Sequence, residues 1–200
     1  MSFVIDETFL PATLSAGPMT DEQFAQLCAE HPDVFLEMTT EGELLVMPPT
    51  HSLTDARNGE IVRQLGNWAR QDGRGSMTGS SGGFVLPDGA RRSPDAAWTS
   101  KDRLNQLSRE NLAGFWHLSP DFVIELKSES DRLPVLRKKM EEWIANGTQV
   151  GWLINPEVRN IEIFRSAAQA ETRHGVDSLA GEGPVEGFVL DLRVVWDPLS

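Results

Sequence analysis

One short strand, FVIELK from residue 122, constrains the fold of this chain more than any other segment. Side chains alternate between the two faces of a strand, so Phe122, Ile124 and Leu126 share one face, and Glu125 and Lys127 share the other with Val123. An E-x-K tripeptide alone is also typical of an exposed cross-strand ion pair. Helical patterns on both sides of the strand in the sequence predict an α/β domain with a central mixed sheet.

Apolar periodicity predicts three helices. In residues 52–71 the positions Ile61, Leu65 and Trp68 form an i, i+4, i+7 stripe, and residues 132–146 carry one apolar face that ends at Gly147. A capping box begins a third helix at residues 20–30. Strands are predicted at 34–38 and 43–47 as a hairpin, and at 95–98, 121–127, 150–154, 161–164 and 188–192. A further strand, 84–86, is predicted to form a hairpin with 95–98, whereas 73–83 and the segment after 164 are expected to be loops.

The length of 200 residues fits one domain, with a helix and hairpin extension at 1–47, a core at 48–165 and a final loop and strand at 166–200. Cys28 is the only cysteine, which excludes an internal disulfide and a cysteine-based zinc site. The four histidines lack zinc-site spacing. The chain has neither a basic leader nor an apolar run of about 18 residues, so a cytoplasmic protein without a membrane partner is expected.

The net charge of -12 argues against a nucleic-acid partner, because nonspecific affinity depends on Lys and Arg that neutralise phosphates. The charge is unevenly distributed, however. Residues 91–139 contain ten basic and seven acidic side chains, so the basic residues collect around the strand described above. Acidic ligands of a bound cation also lose their effective charge.

A second acid, Asp95, stands thirty residues before Glu125 in Ser93-Pro-Asp-Ala-Ala-Trp98, at the start of an otherwise apolar strand. If the two strands are neighbours, the two carboxylates converge and repel each other unless a hard cation lies between them. Oxygen ligands of this type suit Mg²⁺ or Mn²⁺. Such an ion polarises a phosphate and activates water, while the ammonium of Lys127 stabilises developing negative charge.

These residues resemble the PD-(D/E)XK nuclease superfamily, whose signature stands here as Pro94-Asp95 and Glu125-Leu126-Lys127. The segments RRSPDAAW, PDFVIELKSESD, LRKKMEEWIANG and GWLINPE are similar to the Uma-two (Uma2) branch of restriction endonucleases. The resemblance implies a restriction-endonuclease-like αβββαβ core. It also implies Asp95, Glu125 and the Leu126 carbonyl as metal ligands, Lys127 as the catalytic lysine and Glu60 as an acid from the first core helix.

The resulting hypothesis is a Mg²⁺- or Mn²⁺-dependent endonuclease that hydrolyses DNA phosphodiester bonds. Two alternatives stay open, namely a catalytically silent binding protein with the nuclease fold and a homodimeric interaction protein. Lys139 matches a recurrent lysine of the family, although its position on a helix is more typical of a solvated charge. A homodimer is also expected, because double-strand cleavage needs two centres and because the apolar segment at residues 3–10 needs a covering surface. Packing of that segment onto its own domain is the alternative that stays open.

Overall fold

The computed structural model describes residues 10–200, which form thirteen strands and six α-helices. The strands are β1 Ala12–Ser15, β2 Phe35–Met38, β3 Glu43–Met47, β4 Gly75–Gly79, β5 Phe84–Val85, β6 Arg91–Arg92, β7 Ala96–Ser100, β8 Phe122–Leu126, β9 Val150–Asn155, β10 Asn160–Arg165, β11 Glu171–His174, β12 Ser178–Ala180 and β13 Val189–Asp191. The helices are α1 Asp21–Glu30, α2 Ser52–Asp72, α3 Lys101–Leu104, α4 Arg109–Ala113, α5 Leu133–Ala145 and α6 Arg193–Trp196. Within this range no helix is long and apolar enough to cross a membrane. Most of the apolar segment at residues 3–10 lies outside the described residues.

The central sheet has six strands in the order β11-β10-β9-β8-β7-β4. Only β8 and β9 pair in parallel, and α5 connects them, whereas the other neighbours are antiparallel. Read along the chain, α2, β4, β7, β8, α5 and β9 form the αβββαβ arrangement. The predicted α/β fold with a mixed central sheet is therefore confirmed.

Helices cover both faces of this sheet and separate its core into two layers. Ile61 and Leu65 of α2 are fully buried against one face, and Trp68 packs beside them at 5.8 Å from the Trp98 ring. On the other face, α5 buries Met140 and Trp143. The apolar stripes predicted on these two helices are the surfaces that cover the sheet.

A second sheet has five strands in the order β1-β3-β2-β6-β5. It contains the predicted hairpin of β2 and β3, packed against α1, whose capping box between Thr20 and Gln23 is confirmed. The hairpin predicted between 84–86 and 95–98 is wrong, because β5 pairs with β6. The strand that starts at Ala96 is instead occupied on both edges, by β4 and β8.

Two segments expected to be loops are strands at the edges of the central sheet. The first, β4, lies against β7, where a Cβ at Gly75 would come within 2.5 Å of the Trp98 ring and 2.4 Å of the Thr99 carbonyl oxygen. Gly75 is therefore required because the neighbouring strand approaches its backbone closely. A glycine-rich composition is also typical of a flexible loop, so the sequence alone did not distinguish the two. The second, β11, extends the opposite edge through pairing with β10.

Candidate active site

The pairing of β7 with β8 brings Asp95 and Glu125 together. Ala96 lies opposite Ile124 in this antiparallel pair, so the register continued by one residue sets Asp95 opposite Glu125. Asp95 Oδ2 accepts a hydrogen bond of 2.7 Å from the Leu126 backbone N–H. Both acids and Leu126 line a cavity of about 380 Å³. The predicted convergence of the two carboxylates is thus what the strands produce.

Glu125 is held in a fixed orientation from α5. The alternation along β8 directs Ile124 toward the α2 side and Glu125 toward the α5 side of the sheet. Glu125 is only 3% exposed, and its Oε1 accepts a 2.9 Å hydrogen bond from the Trp143 indole N–H. Lys139 Nζ lies 2.9 Å from the same oxygen.

Lys139 belongs to the site, contrary to the expectation of a solvated helix charge. Its Nζ contacts Glu125, lies 2.8 Å from Glu37 Oε1 and donates a 3.0 Å hydrogen bond to the Ser93 carbonyl. Lys139 stands four residues before Trp143 on α5, and side chains at this spacing share a helix face. The buried face of α5 therefore presents the Lys139 ammonium to the carboxylates of Glu125 and Glu37.

Glu37 is a third buried acid that the sequence reasoning missed. It lies on β2 with 3% exposure, and its Oε2 accepts a 3.1 Å bond from Arg92 while its Oε1 accepts a 3.0 Å bond from the Ser93 N–H. Arg92 is held in turn by both carboxylate oxygens of Glu142, at 2.5 and 3.0 Å. The sequence did carry one signal for Glu37, because it is an acid inside the otherwise apolar strand Phe-Leu-Glu-Met. The segment expected to lie outside the chemistry thus supplies a site residue.

Lys127 is not brought to the two acids. Its Nζ lies 2.9 Å from Glu157 Oε1 and donates a 2.9 Å hydrogen bond to the Ser128 carbonyl, and Lys127 is absent from the cavity wall. The residue stands just beyond the end of β8, and the turn after β9 carries the carboxylate that binds it. In this structure the amine that contacts Glu125 is that of Lys139, and the catalytic role expected for Lys127 stays a prediction that this arrangement does not favour.

Glu60 also lies away from the cavity. Its carboxylate is bound by Arg63 at 2.6 Å, and α2 lines the cavity with Thr54, Asp55 and Asn58 instead. Successive helical residues are rotated by about 100°, so Glu60 points about 160° away from Asn58. The apolar periodicity correctly placed Glu60 next to the buried positions Ile61 and Leu65 of α2. It did not show which side of that helix faces Asp95 and Glu125.

The buried charges perturb one another strongly. Burial raises the pKa of both Asp95 and Glu125, and Lys139 only partly opposes the effect. Burial also opposes ionisation of Glu37, but the charges of Lys139 and Arg92 hold its pKa below the usual value. The pKa of Lys139 is raised by Glu125 and Glu37 in spite of its burial. Negative charge on the Asp95 and Glu125 pair is therefore incompletely compensated by the protein.

The residues present fit one divalent cation between Asp95 and Glu125. In residues 10–200 no three acidic, histidine or cysteine side chains are arranged as a preformed metal site. Asp95 nevertheless retains Oδ1, which accepts no hydrogen bond from the described part of the chain, beside a second carboxylate whose ionisation is suppressed. Hard oxygen donors with uncompensated charge are what Mg²⁺ and Mn²⁺ prefer.

Comparison with known proteins defines the class first. The fold matches that of a crystal structure from Anabaena variabilis, described as a putative nuclease belonging to DUF820, with a TM-score of 0.73. The match covers 90% of this chain and 98% of that chain at 20% identity, so it shows a shared nuclease fold.

The family model then identifies the particular group. It matches residues 21–193, nearly the whole chain, which therefore belongs to the Uma2 family, described as "Putative restriction endonuclease". No curated protein matches the chain. The resemblance carried by Asp95, Glu125 and their neighbouring segments is thereby confirmed at the level of the family.

Proposed function

We propose that this chain is a metal-dependent endonuclease that hydrolyses DNA phosphodiester bonds, with Asp95, Glu125 and the Leu126 carbonyl as metal ligands. The observation that carries the proposal is the pair of converging acids in a cavity with the Lys139 ammonium 2.9 Å from Glu125. Membership of the Uma2 family supports the same reaction class.

The ion would polarise the scissile phosphate and lower the pKa of the attacking water. Asp95 is oriented for this role by the Leu126 N–H, which binds Oδ2 and leaves Oδ1 available. Glu125 is oriented by the Trp143 indole. Ligands held in this way lose little conformational freedom when an ion and a substrate enter.

Lys139 takes the role that the E-x-K motif suggested for Lys127. Its ammonium lies between the carboxylates of Glu37 and Glu125, and Lys139 lines the cavity in which the phosphate would be hydrolysed. A fixed positive charge in a buried site stabilises that developing charge without solvent reorganisation. Lys127 has a structural role in this proposal, because its ammonium joins the end of β8 to the turn that contains Glu157.

A nuclease assay tests the proposal directly. Purified protein is incubated with DNA and Mn²⁺ or Mg²⁺, beside an Asp95→Ala variant purified in the same way. We expect cleavage that requires both the ion and Asp95. Equal cleavage by the variant would indicate a contaminating nuclease, and the absence of cleavage from every DNA substrate would refute the proposal.

A further inference from the structure

We infer that the substrate of this site is a DNA strand whose scissile nucleotide is unpaired, with its base against an apolar wall inside the cavity. This inference rests on the proposed nuclease function and adds the substrate class. It depends on the shape of the cavity, on the distribution of its polar and apolar sides, and on the small number of free basic residues.

The cavity is lined by acidic and by apolar residues. Asp95 and Glu125 are among the acids, and Phe35, Met47, Pro48 and Pro49 form a group of apolar residues that we call the apolar wall. Phe35 and Met47 are directly opposite each other on β2 and β3, so their side chains share a face. Phe35 is 41% exposed and lines the cavity, so its ring is accessible to a ligand there.

The dimensions suit one nucleotide. A cavity of about 380 Å³ lies in the size range of small-ligand sites, and Glu125 within it is only 3% exposed. A stacked base pair cannot follow its phosphate into such a space. Enzymes that act on a base inside a pocket take the nucleotide out of its stack or act on unpaired strands, and the same steric limit would apply to a scissile phosphate that must reach the buried Glu125.

The charges of the protein oppose binding of a duplex through its phosphates. Lys139 is the only lysine or arginine among the described residues that line the cavity, beside six acids. Twelve of the 18 arginines and lysines form ion pairs, which leaves six without an ion pair in residues 10–200. Those six are Arg57, Arg70, Lys101, Arg109, Arg132 and Lys138. Because phosphate neutralisation dominates duplex affinity, this chain needs another source of binding energy.

Two features of the cavity supply that energy for an exposed base. Bases stack on aromatic side chains in a sequence-tolerant way, and Phe35 offers such a ring. Asn58 also lines the cavity, and its buried Oδ1 has no hydrogen-bond partner in the described part of the chain. The edge of an unpaired base carries amino or imino donors, which would satisfy this acceptor once the Asn58 side chain turns its oxygen toward the cavity.

The experiment compares three DNA substrates of the same sequence with Mn²⁺: a single strand, a blunt duplex, and a duplex with a short internal bulge. We expect kcat/KM for the single strand to exceed that for the duplex at least about tenfold, with cuts in the third substrate confined to the bulge. Equal cleavage of the blunt duplex would overturn the inference while leaving the nuclease function intact.

A matched pair of variants tests the apolar wall. Phe35→Ala should raise KM for the single strand about tenfold with little change in kcat, because stacking contributes to binding and not to the chemical step. Leu112→Ala, which removes a side chain of 46% exposure outside the cavity wall, should leave KM unchanged. Equal KM values for the two variants would refute the role of Phe35.

Binding separates failure of the inference from failure of the proposed function. The anisotropy of a labelled single strand is measured with Ca²⁺ in place of Mn²⁺, and the labelled duplex is measured in parallel. If no DNA is cut, tighter binding of the single strand, weakened by Phe35→Ala, still supports the inference. Equal or tighter binding of the duplex overturns it.

Discussion

The substitution Glu37→Gln removes one buried charge while it preserves the size of the side chain. Glu37 Oε1 accepts from the Ser93 N–H at 3.0 Å and contacts Lys139 at 2.8 Å, and Oε2 accepts from Arg92 at 3.1 Å. A glutamine keeps an oxygen acceptor for Ser93. It loses the charge–charge attraction to Lys139 and Arg92, and when its oxygen faces Ser93 its amide N–H₂ faces Arg92.

The structure limits the expected loss of stability. Removing one partner of a buried ion pair costs about 3–5 kcal/mol when the other charge is left uncompensated. Here Lys139 keeps Glu125 at 2.9 Å, and Arg92 keeps both oxygens of Glu142. We therefore expect the free energy of unfolding to fall by about 2–3 kcal/mol, below that range. At about 2–4 °C per kcal/mol for a chain of this size, Tm should fall by about 4–12 °C.

Urea unfolding followed by tryptophan fluorescence measures this loss, since the chain has six tryptophans. Glu142→Gln is the matched control. It also removes a partner of Arg92, but the Glu142 side chain is 21% exposed, and Lys139 pairs with Glu37 and Glu125 rather than with Glu142 in the described part of the chain. We expect this control to lose about 1 kcal/mol, as is typical of partly solvated pairs.

Metal affinity distinguishes a role at the site from a role in stability alone. Without Glu37, Glu125 is the one carboxylate among the described residues that still pairs with Lys139, so the ammonium competes more strongly with a cation for that carboxylate. We expect Mn²⁺ affinity to fall about tenfold in Glu37→Gln and to stay unchanged in Glu142→Gln, as measured by calorimetry. An unfolding free energy within about 0.5 kcal/mol of the unmodified protein, or equal Mn²⁺ affinities for the two variants, would refute this reasoning.

Three further predictions concern the same centre and the assembly. The pKa values of Asp95 and Glu125, about 6 and about 8, lie above those of free carboxyls, so the folded state keeps protons that the unfolded chain releases. The unfolding free energy of the metal-free protein should therefore fall as pH rises from about 4 to about 8, and Mn²⁺ should bind more tightly over the same range. An unfolding free energy from urea titrations that rises with pH would contradict this. Lys139→Met should lower kcat for DNA cleavage at least about 100-fold, whereas Lys127→Met should change it less than about threefold, and the reverse order would restore the role of Lys127. Sedimentation equilibrium should show a homodimer of about twice 22.2 kDa, and a mass that stays at 22.2 kDa at micromolar concentration would exclude it.

The sequence predicted the parts of the fold that depend on local patterns. Alternation identified β8, and apolar stripes identified α2 and α5, because burial of one face leaves a periodic signature. The positions of Asp95 and Glu125 followed from the same alternation once the strands were assumed to be neighbours. By contrast, β4 is a strand through its antiparallel pairing with β7. The Gly/Ser-rich sequence of β4 does not indicate this long-range pairing.

The candidate site was harder to predict than the fold for a related reason. Lys139 lies on a helix and contacts Glu125, and Glu37 lies on a separate sheet and contacts Lys139. The number of residues that separates them in the sequence does not indicate that they meet. The E-x-K spacing instead pointed to Lys127, which binds Glu157. A charged residue within an apolar strand or on the buried face of a helix was the usable signal in both cases.

The route by which Glu37 reaches the site also limits how this protein can be divided. The αβββαβ core does not contain every charge of the site, because the carboxylate that Arg92 and Lys139 share comes from β2, before that core begins. A fragment that starts after Met47 would keep Glu142 beside Arg92 and Glu125 beside Lys139, but both cations would lose this shared buried carboxylate. The candidate site is therefore assembled from both parts of the chain, and neither part alone is a transplantable module.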